Sequence, residues 1–240
     1  MMNVGQESSL TVVAVGGFSS NSGKTTLVCE LLRAFPGWEA VKMTRGHYRS
    51  CGRDAHACCV SHLLGEEPLV LSGRERTYAP GKDTGRFWEA GASNVHWAVA
   101  TDAQVGGAAR QALGRVESAG VFIEGNSFLK HVAADFVLLT ARAGGGPLKA
   151  SARRALRQAD AIYLSEEDGA GESCGGVETR ERFAAWRAEA GYEELFGGVP
   201  TYAREDLPEL FERVRAAHAA RLSARGSRSL EHEVLGAKQF

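Results

Sequence analysis

Gly16-Gly17-Phe18-Ser19-Ser20-Asn21-Ser22-Gly23-Lys24-Thr25-Thr26 follows directly on Leu10-Thr11-Val12-Val13-Ala14-Val15 and precedes a stretch of helical character over 24–35. A short, β-branched, apolar run of that kind reads as a buried strand. Between strand and helix, glycines let successive amide N–H groups turn inward around phosphate oxygens, and the start of the helix adds unpaired donors and positive potential. That context makes the loop a phosphate-binding loop, in which Gly17, Asn21, Ser22, Gly23, Lys24, Thr25 and Thr26 are expected to hold the phosphates of ATP or GTP. Lys24 would reach the β- and γ-phosphates, and Thr25 places a hydroxyl where Mg²⁺ can use it. Five residues separate Gly17 from Gly23, one more than in the common form of this loop.

Outward from the loop, apolar runs over 39–43, 69–71, 95–100, 121–123, 135–140, 161–164 and 199–203 alternate with helix-like stretches over 105–117, 148–158, 178–190 and 207–222. Such alternation predicts an α/β fold of three layers, a mainly parallel sheet with helices on both faces. Glycine-rich breaks at 144–147 and 169–176 fall near strand ends, where open α/β sheets place their ligands. The expected organisation is one nucleotide-binding domain over 10–222 with a Cys/His-rich insertion at about 44–78. Past 222 the periodicity fades, which predicts a mobile tail over 223–240.

The run Val121-Phe122-Ile123 ends in Glu124-Gly125-Asn126. Glu124 is the candidate acid for Mg²⁺, directly or through water, because a carboxylate at the end of a buried strand is costly unless something cationic faces it.

With 240 residues and a net charge of −1, the chain has room for a sizeable core and no global basic field. Nucleic acid is therefore not an expected partner. No run approaches the roughly 18 to 20 apolar residues that span a bilayer, and residues 1–9 lack a basic start and an apolar stretch. A cytoplasmic protein without membrane contact is expected. Its five cysteines are odd in number and unevenly spread, unlike a secreted disulfide framework.

His47, Cys51, His56, Cys58, Cys59 and His62 lie in one short stretch. Thiolate and imidazole donors suit Zn²⁺, Ni²⁺, Cu⁺ or iron, which makes Cys51, His56, Cys58 and Cys59 candidate ligands of a transition metal. On a helix over 54–64, Cys58 and His62 share one face and His56 and Cys59 another. Adjacent Cys58 and Cys59 point apart, however, and no paired C-x₂-C site is spelled out, so small buried thiols with solvated histidines are the plainer reading. A third reading is a segment that senses the γ-phosphate. The basic set Arg142, Lys149, Arg153, Arg154 and Arg157 reads first as a solvated helix face, with an anion-attracting patch as the sharper alternative.

On residues 17–26, Val41-Lys42-Met43, Pro80-Gly81-Lys82-Asp83-Thr84 with Glu89-Ala90-Gly91-Ala92, and Ile123-Glu124-Gly125, the chain resembles the P-loop family of molybdopterin-guanine dinucleotide biosynthesis protein B. The wider group includes dethiobiotin synthetase and metal-centre maturation GTPases. The longer loop looks more like that of dethiobiotin synthetase, in which a Glu-Gly after an apolar strand helps to hold Mg²⁺. The resemblance implies a P-loop NTPase, acting as a Mg²⁺-dependent ATP- or GTP-hydrolysing accessory protein in the making or insertion of a metal cofactor, molybdopterin type first. A cofactor-biosynthesis or metalloenzyme partner and a homodimer are implied with it. So are roles for Lys42, at a γ-phosphate or an acidic substrate, and for Asp83, at Mg²⁺ or its waters. Lys24, Glu124, Lys42 and Asp83 then form the expected catalytic set. Two alternatives stand beside this one: an ATP-dependent kinase or ligase for small molecules, resembling dethiobiotin synthetase, and a metallochaperone whose nucleotide sets the metal affinity of the Cys/His stretch. Departures from the family pattern are the longer link between Thr44 and Tyr78 and the longer C-terminal half. The base stays open between ATP and GTP, since no Asn-Lys-x-Asp sequence is present and the strand over 161–164 ends in Ser165-Glu166-Glu167-Asp168.

Overall fold

The structure is a computed structural model that describes residues 10–46, 60–166 and 175–236. Its strands are β1 (Thr11–Gly17), β2 (Glu39–Arg45), β3 (Leu69–Ser72), β4 (Val95–Ala100), β5 (Gly120–Glu124), β6 (Phe136–Arg142), β7 (Ala161–Ser165) and β8 (Thr201–Tyr202). They form one sheet in the order β3-β4-β2-β5-β1-β6-β7-β8. Neighbouring strands run parallel except at the edge, where β3 is antiparallel to β4.

Between the strands lie the helices α1 (Lys24–Ala34), α2 (Arg74–Thr77), α3 (Asp83–Glu89), α4 (Val105–Leu113), α5 (Ala150–Leu156), α6 (Gly176–Glu189), α7 (Glu193–Phe196) and α8 (Leu207–Gly236). Successive strand residues point to opposite faces of a sheet. Val12 and Ala14 of β1 accordingly join Val121, Ile123, Val137 and Leu139 against α4, α5, α6 and α7. Val13 and Val15 join Phe122 and Leu138 against α1, α3 and α8 on the other side. Both faces of β1 are apolar because both are covered, which is why its sequence is a continuous apolar run and not an alternating one. This is the three-layer, mainly parallel α/β architecture that the sequence predicts. The central strand β1 sits between β5 and β6, so the chain order reverses at its C-terminal end and opens the crevice where such sheets bind ligands.

Some elements differ from expectation for identifiable reasons. The helix over 105–117 stops at Leu113, because the buried Glu39 carboxylate takes the N–H groups of Glu117 and Ser118, each at 2.8 Å, and the chain leaves the helix to reach it. The short helices α2, α3 and α7 have no apolar stripe to announce them; in α3 a single large side chain, Phe87, is fully buried. α8 continues past the expected end at Leu222 to Gly236, carried by helix-favouring Ala, Arg, Leu and Glu. Of the helix expected over 54–64, the described part is one 3₁₀ turn at Ser61–Leu63. No helix among the described residues is long and apolar enough to cross a membrane.

At the end of the sheet away from the crevice, Glu39 and His96 are both buried, with Glu39 Oε2 2.6 Å from His96 Nε2 and His96 Nδ1 2.8 Å from Ser72 Oγ. Burial raises the pKa of the Glu39 carboxyl, but the hydrogen bonds from His96 and from the N–H groups of Glu117 and Ser118 outweigh it and hold the value below the ordinary 4.5. A depressed folded-state pKa contributes stability above the unfolded value and loses it as pH falls through the folded one. Glu39→Gln should therefore lower the urea midpoint at pH 7 and flatten the loss of stability below pH 4.5 that the native chain shows. Identical acid profiles for the two proteins would refute this assignment.

Candidate functional site

Gly23 caps α1 with φ 82°, a left-handed conformation that glycine adopts freely, and a Cβ there would lie 2.8 Å from that of Ser165. Asn21 turns the loop at φ 57°, as its short polar side chain permits. Within the loop, the buried Ser22 hydroxyl lies 3.1 Å from the Ser19 carbonyl and 2.8 Å from Thr140 Oγ1. Any side chain at Gly17 would run into Ser22 and Thr140. Lys24 donates to the Ser19 carbonyl at 3.0 Å and to Ser22 Oγ at 3.4 Å, so the ammonium lies along its own loop. Burial lowers its pKa against the opposing pull of Glu124, which leaves a cation that gains from a nearby anion. On the outside, Lys149 donates to Ser20 Oγ at 2.8 Å and Arg142 to the Asn21 carbonyl at 3.2 Å. Those two members of the basic set fasten the loop, while Arg153 donates to the Tyr192 hydroxyl at 2.7 Å.

Glu124 ends β5 on the face of Phe122, which is the face of α1 and α3. Lys42 stands directly beside it in the register of β2 and β5. The Glu124 side chain is 2% exposed, and its two oxygens are answered separately: Lys42 Nζ at 2.6 Å and the Thr25 hydroxyl at 3.0 Å. Lys42 also pairs with Asp83 at 2.5 Å. Burial lowers the pKa of Lys42, but Glu124 and Asp83 more than reverse it, so the ammonium form is held firmly. Asp83 is shifted up by burial and further down by Lys42 and Thr25, with a net lowering. Thus Lys24, Thr25, Lys42, Asp83 and Glu124, scattered through the sequence, meet at the end of β1 and β5.

Sequence reasoning assigned no role to two further residues. Asn126 accepts from Gly17 N–H and donates to Gly17 C=O, both at 2.8 Å, and so continues the ladder between β1 and β5 with a side chain. Its position directly after Glu124-Gly125 is the only sequence signal for it. Arg86 on α3 donates to Thr26 Oγ1 at 3.2 Å; nothing local in the sequence links the two.

A cleft of about 720 Å³ is lined by Lys24, Thr25, Thr26, Lys42, Asp83, Arg86 and Glu124 together with Tyr163, Ser165, Glu166 and Arg204. Its lining offers the Thr25 hydroxyl and the carboxylates of Glu124 and Asp83, hard oxygen donors of the kind Mg²⁺ takes together with phosphate oxygens and water. The candidate transition-metal ligands Cys51, His56, Cys58 and Cys59, with His47, lie outside the described residues. His62 is exposed, and no group of three or more His, Cys, Asp and Glu residues among those described is placed to hold a metal ion.

No family model matches the chain, and no curated protein matches its sequence. Among solved structures, LpxK from Aquifex aeolicus, described as an apo form in complex with ATP, is similar at a TM-score of 0.44 and 16% identity over 81% of this chain. The match takes in 53% of the LpxK chain, so this chain spans about half the length of that protein. Nothing about the site is carried over from so distant a likeness.

Removing one partner of a buried ion pair costs about 3–5 kcal/mol because the other charge is left stranded. Lys42→Met should lose stability on that scale in urea denaturation, and the double variant Lys42→Met/Glu124→Gln should recover most of it. Strictly additive losses would mean that Glu124 does not depend on Lys42.

Proposed function

We propose that this chain binds a nucleoside triphosphate with Mg²⁺ in the cleft and transfers its γ-phosphoryl group to water or to an acceptor. The observation that carries the reading is the convergence of Lys24, Thr25, Lys42 and Glu124 where β1, β2 and β5 meet the start of α1. The loop amides and the first turn of α1 hold the phosphates, and Lys24 exchanges its neutral partners for phosphate oxygens. Thr25 and Glu124, with Asp83 beside them, would hold Mg²⁺, which would supply positive charge against the phosphates. Lys42 keeps the two carboxylates ordered and places a cation next to the transferred group. In hydrolysis, water adds its oxygen to the γ-phosphorus, the bond to the bridging oxygen breaks, and its electron pair stays with the diphosphate. Both protons of the water leave with the inorganic phosphate. Because little covalent work falls to the protein, positioning and charge stabilisation carry the reaction. The rest of the cleft, where Tyr163, Glu166 and Arg204 join the lining, is left for the nucleoside or an acceptor.

The finer assignment is an accessory NTPase for the making or insertion of a metal cofactor, molybdopterin type first, with a protein of that pathway as its partner. It is supported by the resemblance on residues 17–26, Lys42, Asp83 and Glu124, which the fold brings to one place. A second reading, transfer to a small carboxylate or alcohol in the manner of dethiobiotin synthetase, is favoured by the Asp83 side chain, 41% exposed beside Lys42, where an acceptor would approach.

Lys24→Ala should abolish nucleotide binding by calorimetry while leaving the melting temperature intact. Glu124→Gln should keep affinity better than turnover. Unchanged affinity in the first variant, or turnover with Mg²⁺ equal to the native chain in the second, would remove the respective residue from the site.

A further inference from the structure

The phosphate end of the cleft holds three cations, and the structure treats them differently. Lys24 lies on its own loop, and Lys42 is neutralised between two carboxylates. Arg86 donates to one neutral hydroxyl, that of Thr26 at 3.2 Å, and is in no ion pair among the described residues. A guanidinium carries five N–H donors in a planar fork that matches phosphate oxygens, and it stays charged in any such setting. One hydrogen bond to a hydroxyl leaves most of that capacity available to a ligand in the cleft that Arg86 lines.

Its position is also firmly held. Phe87, the next residue, is fully buried in the core shared with Leu27, Val28 and Leu31 of α1. The Arg86 carbonyl accepts from Cys29 Sγ at 3.6 Å, again on α1. A side chain at Gly85 would strike the Ala79 carbonyl, so α3 is pressed against the turn before it. The Arg86 backbone is thereby fixed to the helix whose first turn faces the phosphates. Asp83, three residues earlier and on the same side of α3, is ion-paired with Lys42 and feels the Arg86 charge without forming a salt bridge with it.

We propose that Arg86 is a catalytic residue, an arginine supplied within the chain that contacts the triphosphate and stabilises the charge that collects on the departing diphosphate. This rests on the phosphoryl-transfer reading above. As the bond from the γ-phosphorus to the bridging oxygen breaks, the electron pair moves onto that oxygen, and the guanidinium beside the first turn of α1 receives the growing negative charge. Thr26 serves to aim it.

The test uses the full chain with ATP and GTP in Mg²⁺, and Arg86→Ala and Arg86→Lys beside it. Arg86→Ala should lower kcat on the order of 10³-fold, the lower end of what such an arginine contributes, with a much smaller change in affinity for a non-hydrolysable triphosphate. It should also fail to trap the diphosphate with aluminium fluoride, and millimolar methylguanidine should restore part of its turnover, which a purely structural role would not allow. Arg86→Lys retains stem and charge but not the fork, and should fall between the two at an unchanged melting temperature. Native kcat and aluminium fluoride trapping in both variants would overturn the inference while leaving the nucleotide site standing, as would equal losses of kcat and affinity without rescue. A native chain that binds no nucleotide would instead defeat the reading on which it rests. If the native chain binds but does not turn over alone, the trapping measurement decides.

Discussion

Glu124 is a carboxylate at the end of a central, wholly buried strand, and the rest of the site is arranged around the cost of keeping it there. An unpaired carboxylate in such surroundings would take up a proton or unfold its neighbourhood. Here one oxygen faces Lys42 and the other the Thr25 hydroxyl. Those two contacts tie β5 to β2 and to the first turn of α1, and Lys42 then draws in Asp83 and the start of α3. Loop, second strand and third helix are thus placed relative to one another by the charge of one side chain. Asn126, two residues on, fixes the loop's entry to the same strand. The proposed phosphate and Mg²⁺ site rests on this arrangement: Thr25 and Lys42 are held by Glu124, and Lys24 lies beside them on its own loop.

The parts of this visible in the sequence were those encoded locally. A continuous apolar run reveals β1 because both of its faces are covered, and a glycine- and serine-rich turn into a helix reveals the loop. Glu124 was legible because it breaks an apolar run at a strand end. Lys42 and Asp83 came only through resemblance, since neither has a local pattern that predicts the contact at 2.5 Å between them. Asn126 and Arg86 were missed altogether: each acts on a residue far away in the chain, Gly17 and Thr26, and pairings across the fold leave no periodicity. The helix α3 was hidden for a related reason, with one fully buried large side chain in place of a stripe. Composition left one thing unsaid: Arg142 and Lys149, read as part of a solvated face, also make exposed hydrogen bonds to the outer side of the loop.

The two ends of the sheet divide the labour. At one end, Glu39, His96 and Ser72 form a closed polar chain whose partners are all internal, and it locks the starts of β2 and β4 to the edge strand. At the other, Lys24 rests on neutral oxygens, Arg86 on a single hydroxyl, and Asp83 is partly exposed. Polar groups satisfied within the fold stabilise it, whereas groups with spare donors beside a cleft are suited to a ligand. That contrast, more than any one motif, separates the end proposed to bind a ligand from the structural one.

The central claim is that the end of the cleft at Lys24, Thr25 and Glu124 holds a triphosphate together with Mg²⁺. Calorimetric titration of the native chain with ATP and with GTP, each with Mg²⁺ and with excess chelator, tests it most directly. Saturable binding of one nucleotide per chain is expected, weakening when the cation is removed and again for the diphosphate. Absence of binding by either nucleotide, or binding indifferent to both Mg²⁺ and the γ-phosphate, would contradict it.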